Sequence, residues 1–393
     1  MNRLTKSVIL LLALCVGLTH AADALDLQAA LQQDIQDARL DRFSLIEAAF
    51  ILSGADTNDS LAVAMKWYRT LLGQIKEYHF DPFDREGSAA KVFGFLHSFW
   101  LVTYKEQATT LLDVIRQKQF NCVAGTILYN LVCADLGWPT EAFETPTHTY
   151  TIFTHFDRRL MVENTTPMGF NITQNLAEYS RYLLQFYPDH RAAQIGLDRI
   201  YAHENSNGRV ISNTELLGLL AYNRAYLAAK EEAFDRAYQF VLLAQQFNRD
   251  SRSNVDFEIN LYHRWGRALF DKGLFYEAFT VLADGFYRYR RESSLAQNCR
   301  VALFGALNQY GRNGQWAESR GLLQELRVLN LPMSEADQQR LRAYLRNWMN
   351  HFIRTGGREA LVSSLELLQH LGLDDGSFEA VYDQAGVLSR GRE

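Results

Sequence analysis

Cysteine is scarce in this chain, with four thiols among 393 residues, and their placement excludes a disulfide-stapled scaffold. Cys15 falls in the N-terminal apolar stretch, which leaves Cys122, Cys133 and Cys299, an odd set. On one helix Cys122 and Cys133 would share a face but stand about 16 Å apart along the axis, beyond disulfide reach. A dominant charge is missing too. The chain holds 40 basic and 45 acidic side chains, so no basic field for nucleic acid is implied. There is no glycine-rich loop of the kind that cradles phosphates, and past residue 21 no apolar run of eighteen residues that would span a membrane. What is present is apolar and aromatic content, 48% and 12%, enough to exclude a disordered chain.

The first 21 residues read as a signal peptide rather than as part of the fold. Asn2-Arg3-Leu4-Thr5-Lys6 is a positive n-region, Val8 to Leu18 is an apolar stretch too short to cross a bilayer, and Thr19-His20-Ala21 ends in a small residue. A lipoprotein would need a small residue before Cys15, and Leu14 stands there. The mature chain is therefore expected to be exported, periplasmic or secreted, and soluble. Without Arg3 and Lys6 it keeps 38 basic side chains against 45 acidic ones, a net of −7. Its length predicts two to three domains.

The stretch from Leu111 to Pro167 organises the rest. Cys122 follows a polar turn and opens an apolar run, Ile127, Leu128, Leu131, Val132 and Leu136, that stops at Gly137-Trp138-Pro139. This spacing predicts a helix with Cys122 in its first turn, where unpaired N–H groups and the positive dipole end favour a thiolate. Two β-like runs follow, Thr140 to Thr145 and Thr149 to Phe153, with Pro146-Thr147-His148 between them, then a third at Arg159 to Glu163. His148 heads the middle run, while His155 falls at a turn. Tyr129 and Trp138 are read as core.

A cysteine on a helix start, a histidine at the head of one strand and a carboxylate at the end of the next resembles the transglutaminase-like superfamily of papain-type thiol enzymes. The matching residues are Asn121-Cys122, Leu128-Tyr129, Leu136-Gly137, Pro146, His148 and Val162-Glu163-Asn164-Thr165, the last replacing the family's Val-Asp-Pro-Thr. The resemblance implies Cys122 as nucleophile, His148 as its acid–base partner and a third group that orients His148. Glu163 is read as that third group, and because it is one methylene longer than aspartate, Asn164 and after it Asp157 stand as alternatives. Asn121 or Gln119 could add an oxyanion donor beside the Cys122 amide.

Residues Leu25 to Tyr104 read as helical, with Phe43–Leu52 ending at Gly54, a helix from Asn58 through Ile75, and another from Ser88 to Tyr104. This resembles the helical lead-in of several bacterial proteins with a transglutaminase-like core. Thr109–Gln117 would deliver the chain to Cys122. Helices are expected at Asn171–Tyr187 and Asp189–His203, and the polar run Glu204 to Gly208 marks the expected domain boundary.

Beyond Thr214 the sequence repeats. Ala237, Ala278, Ser319 and Ala360 recur every 41 residues, followed by Val241, Leu282, Leu323 and Ser364 and then by Ala244, Gly285, Leu326 and Leu367. The unit from Tyr262 through Trp265-Gly266, Leu269, Gly273, Ala278 and Leu282 to Gly285 resembles the tetratricopeptide repeat, with longer links than that family's 34-residue period. Tyr222, Tyr226, His263, Arg267, Asn308 and Arg312 take the groove positions, where the resemblance implies partner binding.

The expectation is an α+β transglutaminase-like domain over 22–208, mostly helical with a small antiparallel sheet, followed over 209–393 by an all-α solenoid of four tetratricopeptide-like hairpins. The function it implies is thiol-dependent acyl transfer on amide bonds of a protein or peptide, as a peptidase, amidase or transglutaminase, with neither metal nor cofactor. The alternative is a catalytically silent fold that serves as a protein-binding scaffold.

Overall fold

The computed structural model describes residues 27–81, 83–145, 147–175, 206 and 208–386. The expected signal peptide, Pro146, nearly all of the two helices expected over 171–203 and most of the polar run at 204–208 lie outside these residues. The chain divides into two compact units at Glu258/Ile259, inside one helix. Each is mainly helical, and the first also holds a small antiparallel sheet.

In the first unit, α1 (Leu27–Asp34), α2 (Leu45–Leu52), α3 (Asn58–Lys76) and α4 (Arg85–Phe99) lead in. Helices α2 and α3 start at capping boxes, Ser44 with Glu47 and Thr57 with Ser60, which satisfy N–H groups that a helix start leaves without partners. Helix α4 stops at Phe99 rather than running to Tyr104, because Thr103–Tyr104 form a short strand, β1, parallel to β2 (Gln119–Phe120). Between them runs α5 (Leu111–Gln117), ended by Lys118 in the left-handed region. Helix α6 (Cys122–Asp135) is buried on nearly every side, so it reads as apolar all round rather than as a striped surface helix.

The sheet has the order β5-β4-β3-β6, from β3 (Thr140–Glu144), β4 (Thr149–His155), β5 (Arg158–Val162) and β6 (Arg209–Ile211), all antiparallel. Alternate residues Thr149, Thr151 and Phe153 of the central β4 are buried, and α6 packs against β3 and β4. Strand β6 is the element that the expected boundary at 208/209 leaves out. It pairs with β3, and the helices after it, α7 (Asn213–Lys230) and α8 (Phe234–Phe247), stay with the first unit. Asn213 bonds the Thr140 carbonyl and Asn130, Asn223 donates to Thr109, and Arg224 donates to the Leu52 carbonyl while stacking on Phe240. The first hairpin of the expected repeat array is therefore structurally part of the unit that carries Cys122.

From α9 (Arg252–Asp271) the second unit continues with α10 (Phe275–Arg288), α11 (Ser293–Arg312), α12 (Trp316–Leu329), α13 (Glu335–Thr355), α14 (Arg358–His370) and α15 (Glu379–Ala385). The hairpin turns carry positive φ at Glu232, Gly273 and Gly314, each 41 residues apart, and at Gly356, which is 42 further on. Ala278 and Ser319 are buried, and a Cβ on Gly266 would stand 2.6 Å from Leu282 across the α9–α10 crossing. The fourth unit corrects the expected register by one residue. The link from α12 to α13, Asn330–Ser334, is one residue longer than the link from α10 to α11. The residues equivalent to Ser319, Leu323 and Leu326 are accordingly the buried Leu361, Leu365 and Leu368, while Ala360 is half-buried.

Candidate active site

Cys122 is the first residue of α6, and Asn121 caps it. The Asn121 Oδ1 accepts from the Ala124 N–H at 3.1 Å and its Nδ2 donates to the Glu106 carbonyl at 3.0 Å. One first-turn N–H is thereby satisfied, while those of Cys122 and Val123 have no acceptor within the helix. Capping engages the Oδ1 and one of the two Nδ2 hydrogens, so Asn121, which lines the cleft, keeps a second N–H for an oxyanion. Gln119 sits in β2 and is not among the residues lining the cleft at Cys122. The backbone N–H of Cys122, which has no acceptor within the helix, is a further donor for a developing oxyanion.

His148 is held at the head of β4 by a tight loop. Thr145 N–H donates to the His148 carbonyl at 2.8 Å, and the His148 N–H donates to Thr145 Oγ1 at 3.0 Å. The imidazole is buried, its Nε2 lies 2.7 Å from Glu163 Oε2, and the ring hydrogen-bonds the Cys122 thiol. With Nε2 engaged by Glu163, Nδ1 is the nitrogen left for sulfur. Glu163, one residue past β5 and fully buried, uses Oε1 to accept from the Thr165 N–H and hydroxyl at 3.1 and 2.5 Å. The extra methylene therefore does not displace the carboxylate from the imidazole.

The other two candidates for the third role are elsewhere. Asn164 turns its Nδ2 into a buried polar network, to Thr151 Oγ1 at 2.8 Å and Thr126 Oγ1 at 3.2 Å. Asp157 and His155 lie at the β4–β5 turn, beside a different depression. Burial by itself would lower the His148 titration, but the Glu163 charge, hydrogen bonds that the ring donates to Cys122 and Glu163, and charge at Cys122 together hold it well above an ordinary imidazole. The imidazolium is thus the favoured form.

Sequence reasoning missed Tyr104. It lines the same cleft, and burial together with charge at Cys122, Glu163 and Glu106 pushes its hydroxyl up, keeping it a proton donor in that cleft. Its signal was weak because β1 is two residues long. His97 is a further neutral imidazole near Glu163, lowered to about 4 by burial.

Cys122 and His148 open onto a cleft of about 580 Å³ that lies wholly within the first unit. Its opposite wall is α7, which brings Tyr222 and Tyr226 to the site. Both hold groove positions in the repeat pattern, yet both line the cysteine cleft. His263 and Arg267 line a distinct depression of about 510 Å³ in the second unit, and Asn308 and Arg312 are exposed on α11. Cys133 and Cys299 are free and fully buried, each pushed up to about 12 by that burial. Among the described residues no cluster of metal-ligating side chains occurs and no helix is long and apolar enough to cross a membrane. Comparison with protein-family models and with curated proteins finds no match to this chain.

Proposed function

We propose that the chain is an exported thiol enzyme of transglutaminase-like type, acting by acyl transfer on amide bonds of a protein or peptide. The observation that carries this reading is the continuous relay from a cleft-lining Cys122 through His148 to a buried Glu163 at 2.7 Å. The Cys122 proton resides on His148, and the thiolate attacks the amide carbonyl carbon. A C–S bond forms and the carbonyl electron pair moves to oxygen, facing the Cys122 N–H and the Tyr104 hydroxyl. Collapse breaks the C–N bond while His148 gives its proton to the departing amine. Water then attacks the thioester, His148 takes its proton, and the thiolate leaves. An amine in place of water would give a crosslink. The helical hairpins of the second unit, which resemble tetratricopeptide repeats, would hold a protein partner.

What favours this reading over a catalytically silent scaffold is that the cysteine–histidine pair borders open cleft rather than being sealed in the core. Incubation with an activated aryl ester tests it. Intact-mass analysis should show one acyl group on Cys122 that decays in water and faster with added amine. No acylation of the wild-type chain, or equal acylation of Cys122→Ala, would refute the enzyme reading.

A further inference from the structure

The wall of the cleft formed by α7 carries more order than catalysis needs. Leu219, Tyr222, Asn223, Tyr226, Leu227 and Lys230 form one helical face, and all six line the cleft that holds Cys122 and His148. Tyr222, Tyr226 and Lys230 stand four residues apart, so successive rungs are separated by about 6 Å along the helix axis. Alternate side chains of an extended polypeptide are separated by about 6.6 Å, so the two spacings nearly match over three rungs. The first rung is fixed in place, because the Tyr222 ring packs on Phe257 at 5.1 Å between centroids. The second is 48% exposed, a large aromatic surface left open on the cleft side of a well-packed helix. The third, Lys230, makes no ion pair or hydrogen bond through its ammonium group among the described residues. Two carboxylates line the cleft, Glu106 and Glu144; Glu144 is held by Arg209 at 3.0 Å, and neither forms an ion pair with Lys230.

We propose that this face of α7 is a substrate subsite for an extended peptide strand, taking apolar or aromatic side chains at two alternate positions and an acidic side chain at the next alternate position, against Lys230. The inference rests on the cleft being the substrate cleft of the thiol enzyme, and it names the class of polypeptide that cleft accepts. It also gives the first helical hairpin a purpose beyond scaffolding, since the wall of the subsite is the first helix of the repeat array.

Fluorescence anisotropy with the full chain tests it, using three fluorescein-labelled, acetyl-capped peptides: Tyr-Gly-Tyr-Gly-Glu, the same sequence ending in Lys, and an all-glycine pentapeptide. The Glu-ended peptide should bind several-fold more tightly than the Lys-ended one, and the all-glycine peptide weakest. In the Lys230→Glu chain the order of the two charged peptides should reverse. Equal affinities for the three, or an order unaffected by the charge reversal, overturn the proposal. Bound Glu-ended peptide should also slow iodoacetamide labelling of Cys122, and binding without that protection places the peptide elsewhere and overturns it too. Displacement by a chitin oligosaccharide in preference to the peptides would mark the rungs as a glycan platform instead. A chain that binds the peptides as expected but is never acylated at Cys122 keeps the subsite and loses the enzyme. A chain that is acylated but binds all three alike keeps the enzyme and loses the subsite.

Discussion

His148 Nε2 and Glu163 Oε2 lie 2.7 Å apart with the glutamate fully buried, so the imidazole has a fixed orientation and a fixed source of negative charge. A buried pair of this kind contributes little net stability, because desolvation offsets attraction, but removing one partner leaves the other uncompensated. Glu163→Gln keeps the length and one hydrogen bond while removing the charge. The expected result is a loss of roughly 10² to 10⁴-fold in the rate of Cys122 acylation, with little change in substrate binding. Glu163→Asp should also lose rate, because shortening the side chain breaks either the His148 or the Thr165 contact. A Gln variant with wild-type kinetics would show that the pair is structural.

The second prediction follows from the sign of the His148 shift. Its titration is raised in the folded chain above the ordinary value of 6.5. The stability gained by protonating it in the fold is therefore fully present below about pH 6.5 and is lost as pH rises through the higher folded value. The difference in urea midpoint between wild type and His148→Gln should be largest at acidic pH and shrink through neutral to alkaline pH. A difference that grows with pH would reverse the assignment of an imidazolium.

Thiol labelling provides the third test. Cys122 lines the cleft at a helix start beside that imidazolium, whereas Cys133 and Cys299 are fully buried and pushed up to about 12. Iodoacetamide at mildly acidic pH should therefore mark Cys122 alone in the folded chain, as read by peptide mass mapping. Labelling of all three at one rate would contradict the site as described.

Much of this site is readable in the chain because its signals are local. A polar N-cap before an apolar helical run placed Cys122 at a helix start, and the turn before β-branched Thr149 and Thr151 placed His148 at the head of a strand. Glu163 is readable as the third group from the resemblance, but Asn164 stays beside it as an alternative, since adjacent residues of an extended segment point to opposite sides and only the fold decides which side faces His148. Strand β6 is three residues long and finds its partner β3 more than 60 residues away, so no local pattern announces it. With β6 went the fact that Tyr222 and Tyr226 belong to the cysteine cleft. The repeat period was legible through three units and slipped in the fourth, where the one added residue in the link before α13 leaves the composition of the helices unchanged.

Asn121 supplies the fourth prediction. Its side chain caps α6 and ties the helix start to the Glu106 carbonyl, so Asn121→Ala should destabilise the first unit by roughly 0.5 to 2 kcal/mol. Because the cap also fixes the first turn that carries Cys122, iodoacetamide labelling at mildly acidic pH should slow even at temperatures where the variant is fully folded. Asn121→Asp, which caps but lacks the donor to Glu106, should recover most of the stability. An alanine variant that loses stability while labelling normally would separate the cap from the site.

The last prediction concerns the second unit. Ala278 is fully buried in α10, two turns from Gly285, where a Cβ would already stand 2.7 Å from Tyr262 of α9. A leucine at this fully buried position should overpack the helix pair, at a cost of roughly 1 to 3 kcal/mol. In stacked hairpins each unit is stabilised by its neighbours, so the damage should spread along α9 to α14. Ala278→Leu should therefore lower the urea midpoint reported by Trp316 and Trp348, which pack on each other at 5.3 Å in this unit. Acylation of Cys122 should persist through that transition, since its cleft is lined only by residues of the first unit. Loss of tryptophan signal and acylation at the same urea concentration would show that the two units unfold as one cooperative body.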